Sequence, residues 1–210
     1  MINIEKSCHK ITRYICNELN LDDEKREVIN YGLFAFLQMI YSFILVFCIG
    51  YIFKVQKEAL ITVVVISHLR KASGGVHAST PISCLLMGTV LSVLSAIILK
   101  LVNYNIKSSI LMTIIVFIYA YYIVYKKAPV DSVNKLIKSP EKRKRLKKAS
   151  IKILTCYLVI IILFAIYYNG TNLNYIMSIN FGVFWQIFSL TKYGKVFFYM
   201  VDYLILREEI

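Results

Sequence analysis

Charged side chains are scarce in this chain: they make up 18% of its 210 residues, whereas hydrophobic residues make up 58%. A soluble domain of this size can bury a good core with much less apolar sequence. The apolar residues also stand in long blocks, and one of them, 31–53, contains no charged residue. A helix of about 20 such residues crosses the hydrocarbon core of a membrane. The composition therefore excludes an ordinary globular protein and predicts an all-α, polytopic integral membrane protein.

Acidic residues are also few, with 12 Asp and Glu against 25 Lys and Arg, which gives a formal net charge of +13. Such a charge can indicate a nucleic-acid partner. Here, however, the basic residues lie at the ends of the apolar blocks and in one hydrophilic segment, which is how membrane proteins use them. We therefore expect membrane lipid, and no nucleic acid, among the partners.

Disulfide and metal signatures are missing as well. The five cysteines are odd in number and form no CxxC pair, and their spacing does not resemble a zinc module. Cys48 and Cys156 lie inside apolar blocks, where we expect a thiol to behave as a small buried hydrophobe. The first 30 residues contain no short apolar stretch followed by a small-residue cleavage site, so we expect no cleavable signal peptide. The sequence predicts no disulfide framework, no metal and no cofactor.

The N-terminal segment, 1–30, predicts an amphipathic helix at the cytoplasmic face. Its apolar residues recur at helical spacing and share one face: Ile4, Cys8, Ile11, Ile15 and Leu19. This pattern is typical of a helix lying in the membrane interface, and equally of a helix that packs on the rest of the protein. A charge cluster, Asp22–Glu27, is expected to separate this segment from the membrane domain.

The membrane domain, 31–210, is expected to contain about six transmembrane or partly spanning helices. Their predicted positions are 31–53, 59–69, 85–102, 110–125, 151–168 and 175–190. A basic cytoplasmic loop is predicted at 126–150, and an amphipathic tail begins at residue 195. Four full spans are the alternative, because the second block is short and the sixth is interrupted by polar residues.

The distribution of basic residues predicts the orientation. With six crossings and both termini inside, four segments are cytoplasmic, and these hold 21 of the 25 Lys and Arg: 1–30, 70–84, 126–152 and 192–210. Such an excess of basic residues is typical of the cytoplasmic side. It places both termini, the polar break at 70–84 and the basic loop on the inner face of the cell membrane.

The polar break at 70–84 carries the candidate chemistry, because polar groups at a membrane boundary are costly and usually mark function. Gly74 and Gly75 allow a turn that other residues resist. Thr80 and Pro81 predict the N-cap and the first position of a new helix. Residue 84, the last residue of the break, then falls in the first turn of that helix.

Cys84 in that first turn is a candidate nucleophile, and His77 a candidate base. On one continuous helix the two would lie about 10 Å apart along the axis, too far for proton transfer. The glycines and Pro81 argue against a continuous helix, so the loop with His77 can fold over the start of the helix. A neighbouring imidazole and a helix N-terminus activate a thiol. Two alternatives stay open: a polar contact beside a buried thiol, and a metal site formed with His68, near which no carboxylate lies.

The run RKASGGVHASTPISC, from Arg70 to Cys84, resembles the signature of the accessory gene regulator B family, membrane cysteine endopeptidases of Gram-positive quorum sensing. The stretch KAPVDSVNK at 127–135, with the Lys- and Arg-rich segment after it, resembles the family's central cytoplasmic loop. The length and the block pattern are similar to the family over nearly the whole chain. At Leu136 this sequence departs from a proline expected in many members.

The resemblance implies a substrate and a reaction. The substrate is an autoinducer propeptide with an N-terminal amphipathic helix and an acidic C-terminal tail. Cys84 attacks the bond before the tail, His77 activates the thiol, and the tail leaves. The remaining peptide is held as a thioester until a nucleophile within it, typically cysteine, closes a thiolactone ring. No ATP is needed, and a homodimer is possible by family analogy.

Further residues are candidates for supporting roles. A dense cationic segment could hold the acidic tail, or could anchor the protein on anionic lipid: Lys142, Arg143, Lys144, Arg145, Lys147 and Lys148. Arg70 and Lys71 could position the peptide or stabilise an oxyanion, and Ser83 could donate to an oxyanion beside the N–H groups of the helix start. Gly75 would support the turn. Arg70 and Lys71 could instead be membrane anchors, and Asp131 is a candidate third catalytic residue with a turn or capping role as the alternative.

Two other functions compete with the peptidase. A small transporter or export channel for a peptide would line its path with polar residues such as Asn103, Asn105, Asn180 and Gln186. That hypothesis predicts paired charges deep within the spans, and the predicted spans contain essentially none. A structural scaffold gives no reason for His77 and Cys84 to meet at one boundary.

Overall fold

Helices form all the regular elements in the part of the chain that the structure describes. The computed structural model describes residues 4–76, 80–131, 137, 139–167 and 172–207. Eight helices follow one another in these residues: α1 Ile4–Glu18, α2 Asp23–Ile52, α3 Gln56–Ser73, α4 Pro81–Leu101, α5 Ile106–Lys127, α6 Pro140–Tyr167, α7 Leu173–Phe188 and α8 Lys192–Arg207. This architecture confirms the all-α fold class.

Two helices begin earlier than the apolar blocks predict. α2 starts at Asp23, so the charge cluster expected to separate two segments forms the beginning of a helix, where Asp22 Oδ1 accepts the N–H of Lys25 at 2.8 Å. α6 starts at Pro140, so most of the cationic segment expected in the loop 126–150 is helical. Hydropathy marks only the part of a helix that lies in lipid, whereas Lys, Arg and Glu are good helix formers outside it.

Four helices in the described part of the chain are long and apolar enough to cross a membrane: α2, α4, α5 and α6. The chain is therefore an integral membrane protein. α3 has 18 residues and α7 has 16. At 1.5 Å per residue they extend only about 27 Å and 24 Å, somewhat less than the hydrocarbon core. These are the two helices for which the sequence left partial spanning open.

The chain forms two compact units, Met1–Leu45 and Val46–Ile210, and the boundary falls within α2. In the first unit, α1 confirms the predicted N-terminal helix. Cys8, Thr12 and Cys16 are buried along one face of it. Of the predicted apolar stripe, Ile11 and Leu19 are exposed, as a surface in contact with lipid would be.

In the second unit, α3 and α7 form the centre, and α4, α5 and α6 pack around them. The core draws fully buried apolar side chains from four of these helices: Leu69, Val124, Leu154, Val183 and Ile187. The outer helices expose apolar residues, which on α4 recur at every fourth position: Ile82, Leu86, Val90, Leu94 and Ile98. Such a stripe is what a helix presents to lipid tails.

The five cysteines are free thiols, and for two of them the burial differs from the expectation. Cys48 on α2 and Cys156 on α6 are exposed, not buried. Both lie on helices that are long and apolar enough to span a membrane, so an apolar sequence context there reflects a lipid-facing surface and not the protein core.

The centre of the second unit is held by small and polar residues. Gly182 on α7 lets the helix approach α3 so closely that an added Cβ would lie 2.9 Å from the Cβ of Val65. Asn180 Nδ2 donates to Thr113 Oγ1 of α5 at 2.8 Å. Helices in membranes commonly associate through such small residues and interhelical hydrogen bonds.

Replacing Gly182 by alanine is expected to destabilise the bundle, because the added methyl group overlaps Val65 and the helices must separate. Overpacking of this kind costs about 1–3 kcal/mol. Thermal unfolding in detergent measures the effect. Gly88→Ala on α4 is the control, since no heavy atom lies within 4 Å of the added group. Equal melting temperatures for the two variants would contradict this account of the α3–α7 contact.

Candidate active site

The start of α4 places Cys84 as the sequence predicts. Thr80 is the N-cap, and its hydroxyl oxygen accepts the N–H of Ser83 at 3.1 Å. Pro81 occupies the first helical position. The backbone N–H of Cys84 donates to the carbonyl of Thr80 at 3.1 Å, which closes the first turn. The predicted cap is therefore confirmed, and it fixes the direction in which the helix leaves the break.

Cys84 is a partly exposed free thiol near the N-terminus of α4. The positive end of the α4 dipole lies at this place and favours a negative charge. Ser83 is buried, and its Oγ lies 2.7 Å from Thr80 Oγ1. The Ser83 hydroxyl is thus part of the cap that holds the turn.

Arg70 brings a positive charge to the same place. It lies in the last turn of α3, and its Nη2 donates to the carbonyl oxygen of Val76. Its guanidinium carbon lies 5.8 Å from the ring centroid of Phe198 on α8. Burial lowers the pKa of Arg70, and the electrostatic influence of nearby Cys84 acts in the opposite direction. Because a guanidinium stays protonated, it is a fixed cation beside the thiol.

The two glycines form the turn after α3, as predicted. Gly74 has φ of 68° and Gly75 has φ of 128°, a region that other residues rarely adopt. A Cβ on Gly74 would overlap the carbonyl oxygen of Val130. The N–H of Val130 donates to the carbonyl of Ser73 at 2.9 Å, and Gly74 forms an isolated parallel bridge with Val130. The Gly74–Gly75 turn and Val130 of the stretch KAPVDSVNK, which are distant in sequence, therefore lie side by side.

α7 supplies a contact that the sequence did not predict. Gln186 Nε2 donates to Ser73 Oγ at 3.1 Å and to the carbonyl of Gly74 at 2.8 Å. The only signal in the sequence is a glutamine inside an apolar block, which marks a site without showing its partner. Gln186 and Asn180, two of the four residues proposed to line a transport path, both donate from their amide nitrogens to other helices or to the turn.

The cationic segment occupies the first turns of α6, where most of its members are exposed: Lys142, Arg143, Lys144, Arg145 and Lys148. Lys147 is half-buried, and its Nζ lies 4.4 Å from the ring centroid of Tyr125. Lys71 at the end of α3 is exposed. The exposed members other than Arg143 keep their charges available to an anionic partner.

Arg143 differs from its neighbours because it is paired within the protein. Its Nη2 lies 2.7 Å from Asp131 Oδ2, and its Nη1 donates to the carbonyl of Pro129 at 3.1 Å. Asp131 Oδ1 also accepts the N–H of Ile137 at 3.3 Å. These contacts agree with the turn and capping role that was the alternative for Asp131.

His77 lies outside the described residues, so its pairing with Cys84 stays a prediction. His68, considered as a metal ligand, lies with Nδ1 3.1 Å from the hydroxyl of Tyr157. Within the described ranges, no three His, Cys, Asp or Glu side chains come together in a way that could hold a metal ion.

Comparison with known proteins decides the family. The model of the family "Accessory gene regulator B" matches residues 8–190. The chain belongs to this family. A Clostridium perfringens (strain SM101 / Type A) protein with the provisional name AgrB-like protein is 41% identical over 206 residues, which cover 95% of this chain and 96% of the relative. AgrB-like protein 2 of Clostridium perfringens (strain 13 / Type A), also provisionally named, is 40% identical with the same coverage. No solved structure matches this chain.

Membership confirms the resemblance found in the sequence and places the chain in the family of quorum-sensing propeptide processing. The matched residues contain the end of α3, the glycine turn, the start of α4 and α7. α8 lies beyond residue 190, although its Phe198 contacts Arg70. The site thus combines elements within the residues that match the accessory gene regulator B family and one element, α8, outside them.

Proposed function

We propose that this protein is a membrane cysteine endopeptidase that removes the acidic C-terminal tail of an autoinducer propeptide. The observation that supports this function best is the surroundings of Cys84. Its thiol is partly exposed, lies in the first turn of α4 and interacts electrostatically with the half-buried Arg70. A helix N-terminus and a nearby cation are two features that turn a cysteine into a nucleophile.

The reaction would proceed by two acyl transfers. The Cys84 thiolate attacks the carbonyl carbon before the tail, and the oxyanion that forms is stabilised by the Arg70 guanidinium and the positive end of the α4 dipole. The C–N bond breaks, a proton from His77 goes to the departing amine, and a thioester remains on Cys84. A thiolate within the bound peptide then attacks this thioester, closes the thiolactone ring and releases the Cys84 thiolate.

The exposed cations of α6 would hold the acidic tail during the first transfer. The orientation that places 21 of the 25 Lys and Arg on the cytoplasmic side puts this segment, Cys84 and both termini on the side where the propeptide is made. The lipid-anchor role of the same cations is compatible with this, because different side chains of a helix face lipid and solvent.

Trapping the thioester tests the proposal. The protein in proteoliposomes is mixed with a propeptide whose internal cysteine is replaced by alanine, so that ring closure is blocked. Mass spectrometry should find the released tail and a peptide adduct on the fragment that contains Cys84, and hydroxylamine should remove this adduct. Absence of both products, or tail release without any adduct, would contradict the covalent mechanism.

The role of the cationic segment gives a separate prediction. Combined replacement of Lys142, Lys144 and Arg145 by glutamine is expected to raise KM for an acidic-tailed peptide about tenfold at low salt, because attraction of the tail is lost. The difference in KM between the triple variant and the wild type should become smaller as added salt screens the charges. Steady-state kinetics over a range of ionic strengths measures this. Lys107→Gln, which removes an exposed cation at the start of α5, is the control, and an unchanged KM in the triple variant would exclude tail binding by this segment.

A further inference from the structure

A buried amide reaches from α7 to the end of α3. The Gln186 side chain is fully buried, and its Nε2 donates both to Ser73 Oγ and to the carbonyl oxygen of Gly74, at 3.1 Å and 2.8 Å. Ser73 Oγ in turn lies 2.9 Å from the carbonyl of Leu69, to which it donates. Burying an amide N–H group in an apolar bundle is unfavourable unless it is bonded. Here the Nε2 group is bonded, whereas Oε1 has no partner among the described residues. Gln186 therefore stabilises the fold only when the turn after α3 keeps this position.

The hydrogen bond from Gln186 to the Gly74 carbonyl restrains the backbone that follows as well as the carbonyl oxygen itself. The peptide unit between Gly74 and Gly75 is planar, so the direction of its carbonyl sets the direction of the Gly75 N–H and of the chain that follows. Two consecutive glycines have little preference of their own among backbone conformations. α7 also lies against Gly75 directly, since an added Cβ there would be 3.3 Å from Gln186 Nε2 and 2.8 Å from Ser189 Oγ.

The chain leaving this turn reaches the nucleophile through Arg70. After Gly75 comes Val76, whose carbonyl oxygen accepts from Arg70 Nη2. Arg70 is in turn the cation that interacts with Cys84. A series of contacts thus runs from Gln186 through the glycine turn and Val76 to the guanidinium of Arg70, whose charge interacts with Cys84.

We propose that Gln186 is a positioning residue of the active site. It fixes the Gly74–Gly75 turn, and the turn fixes the carbonyl of Val76 that orients Arg70 towards Cys84. The amide touches no reacting atom and acts through these neighbours. This inference rests on the proposed peptidase function, which it deepens by assigning α7 a part in the site.

Asn180 offers a matched comparison on the same helix. It is also a buried amide, and its Nδ2 donates to Thr113 Oγ1 on α5 at 2.8 Å. It lies six positions before Gln186, about 9 Å along the helix axis. Loss of either amide removes a hydrogen bond between helices or between a helix and a turn, but only Gln186 bonds the turn that leads to Arg70.

The test compares Gln186→Met with Asn180→Leu. In each variant an apolar side chain of similar length replaces the amide side chain. The rate at which iodoacetamide alkylates Cys84 is followed from pH 5 to pH 10 by mass spectrometry of the Cys84 fragment. With Gln186→Met we expect the profile to differ from that of the wild type, because the turn that orients Arg70 towards Cys84 is no longer held. The kcat for tail release should fall about tenfold with KM nearly unchanged, because only the alignment of the reacting groups is lost. Asn180→Leu should lower the melting temperature and leave the profile and kcat unchanged.

A second variant of Gln186 keeps the inference testable if Gln186→Met fails to fold. In Gln186→Glu the introduced carboxyl keeps the length of the side chain and, while protonated, still donates one hydrogen bond to Gly74. The ratio of its kcat to that of the wild type should therefore fall as pH rises and the carboxyl ionises. A wild-type alkylation profile in Gln186→Met, equal effects of the Met and Leu variants, or a pH-independent ratio for Gln186→Glu would overturn the inference. The alkylation profile needs no substrate, so it judges Gln186 even where the wild type processes no peptide and the peptidase function itself fails.

Discussion

Replacing Cys84 by alanine is expected to lower the rate of tail release by at least about 10,000-fold, since removal of a catalytic nucleophile has effects of this order. No thioester can form without the thiol, and the cation of Arg70 and the helix dipole then have no thiolate to stabilise. The binding of the propeptide should change little, because the cationic segment of α6 is untouched. Single-turnover cleavage in proteoliposomes, with mass spectrometry of tail and adduct, measures the loss.

The other cysteines provide controls for this experiment. Cys156→Ala removes an exposed free thiol from α6, and Cys48→Ala removes one from α2. Both variants should process the propeptide at the wild-type rate. Residual activity of Cys84→Ala above that of empty liposomes would mean that another group attacks the peptide bond, and loss of activity in Cys156→Ala would move the nucleophile to α6.

Replacing Gly74 by alanine is expected to lower kcat about 100-fold, as displacements of about 1 Å do in enzymes. Gly74 has φ of 68°, and an added Cβ would overlap the carbonyl oxygen of Val130. The turn must then leave its bridge with Val130, and the Gly74 carbonyl must leave Gln186. Strained φ alone costs about 1–3 kcal/mol, so the melting temperature should fall as well.

Gly88→Ala on α4 separates the effect on activity from a general effect of alanine. Gly88 lies on the same helix as Cys84, and nothing within 4 Å would meet the added methyl group. Since alanine favours a helix over glycine by about 1 kcal/mol, this variant should be as stable as the wild type or more stable, with unchanged kcat. If Gly74→Ala processed peptide at the wild-type rate, the glycine turn would have no part in the reaction.

The features that follow from neighbouring residues could be predicted from the sequence. The cap formed by Thr80 and Pro81 depends on groups within one helical turn, and the conformation of Gly74 and Gly75 depends on the absence of a Cβ. The spanning helices follow from apolar runs that only a membrane can accommodate. For these reasons the position of Cys84 at the start of a helix was predictable.

The contacts between distant segments could not be predicted in this way. Gln186 and Ser73 are 113 residues apart, and hydropathy does not show which buried amide meets which backbone carbonyl. The contact of Phe198 with Arg70 also joins distant parts of the chain. The early start of α6 was missed for a different reason, because a cationic segment reads as a loop when helix propensity is not weighed against hydropathy. The pairing of Asp131 with Arg143 likewise needed the structure, since it depends on that helix start.

The central pair of helices, α3 and α7, has a consequence for how the protein is made. Both are short, and each carries polar groups that face the other or its neighbours: Thr62 on α3 reaches the carbonyl of Ser178 on α7 at 3.4 Å. A segment of this kind gains little from entering lipid alone, because its polar groups then lack partners. α3 leaves the ribosome long before α7 has been translated. We therefore expect its stable insertion to depend on α7, so that the Gly74–Gly75 turn takes its place only after α7 has been made.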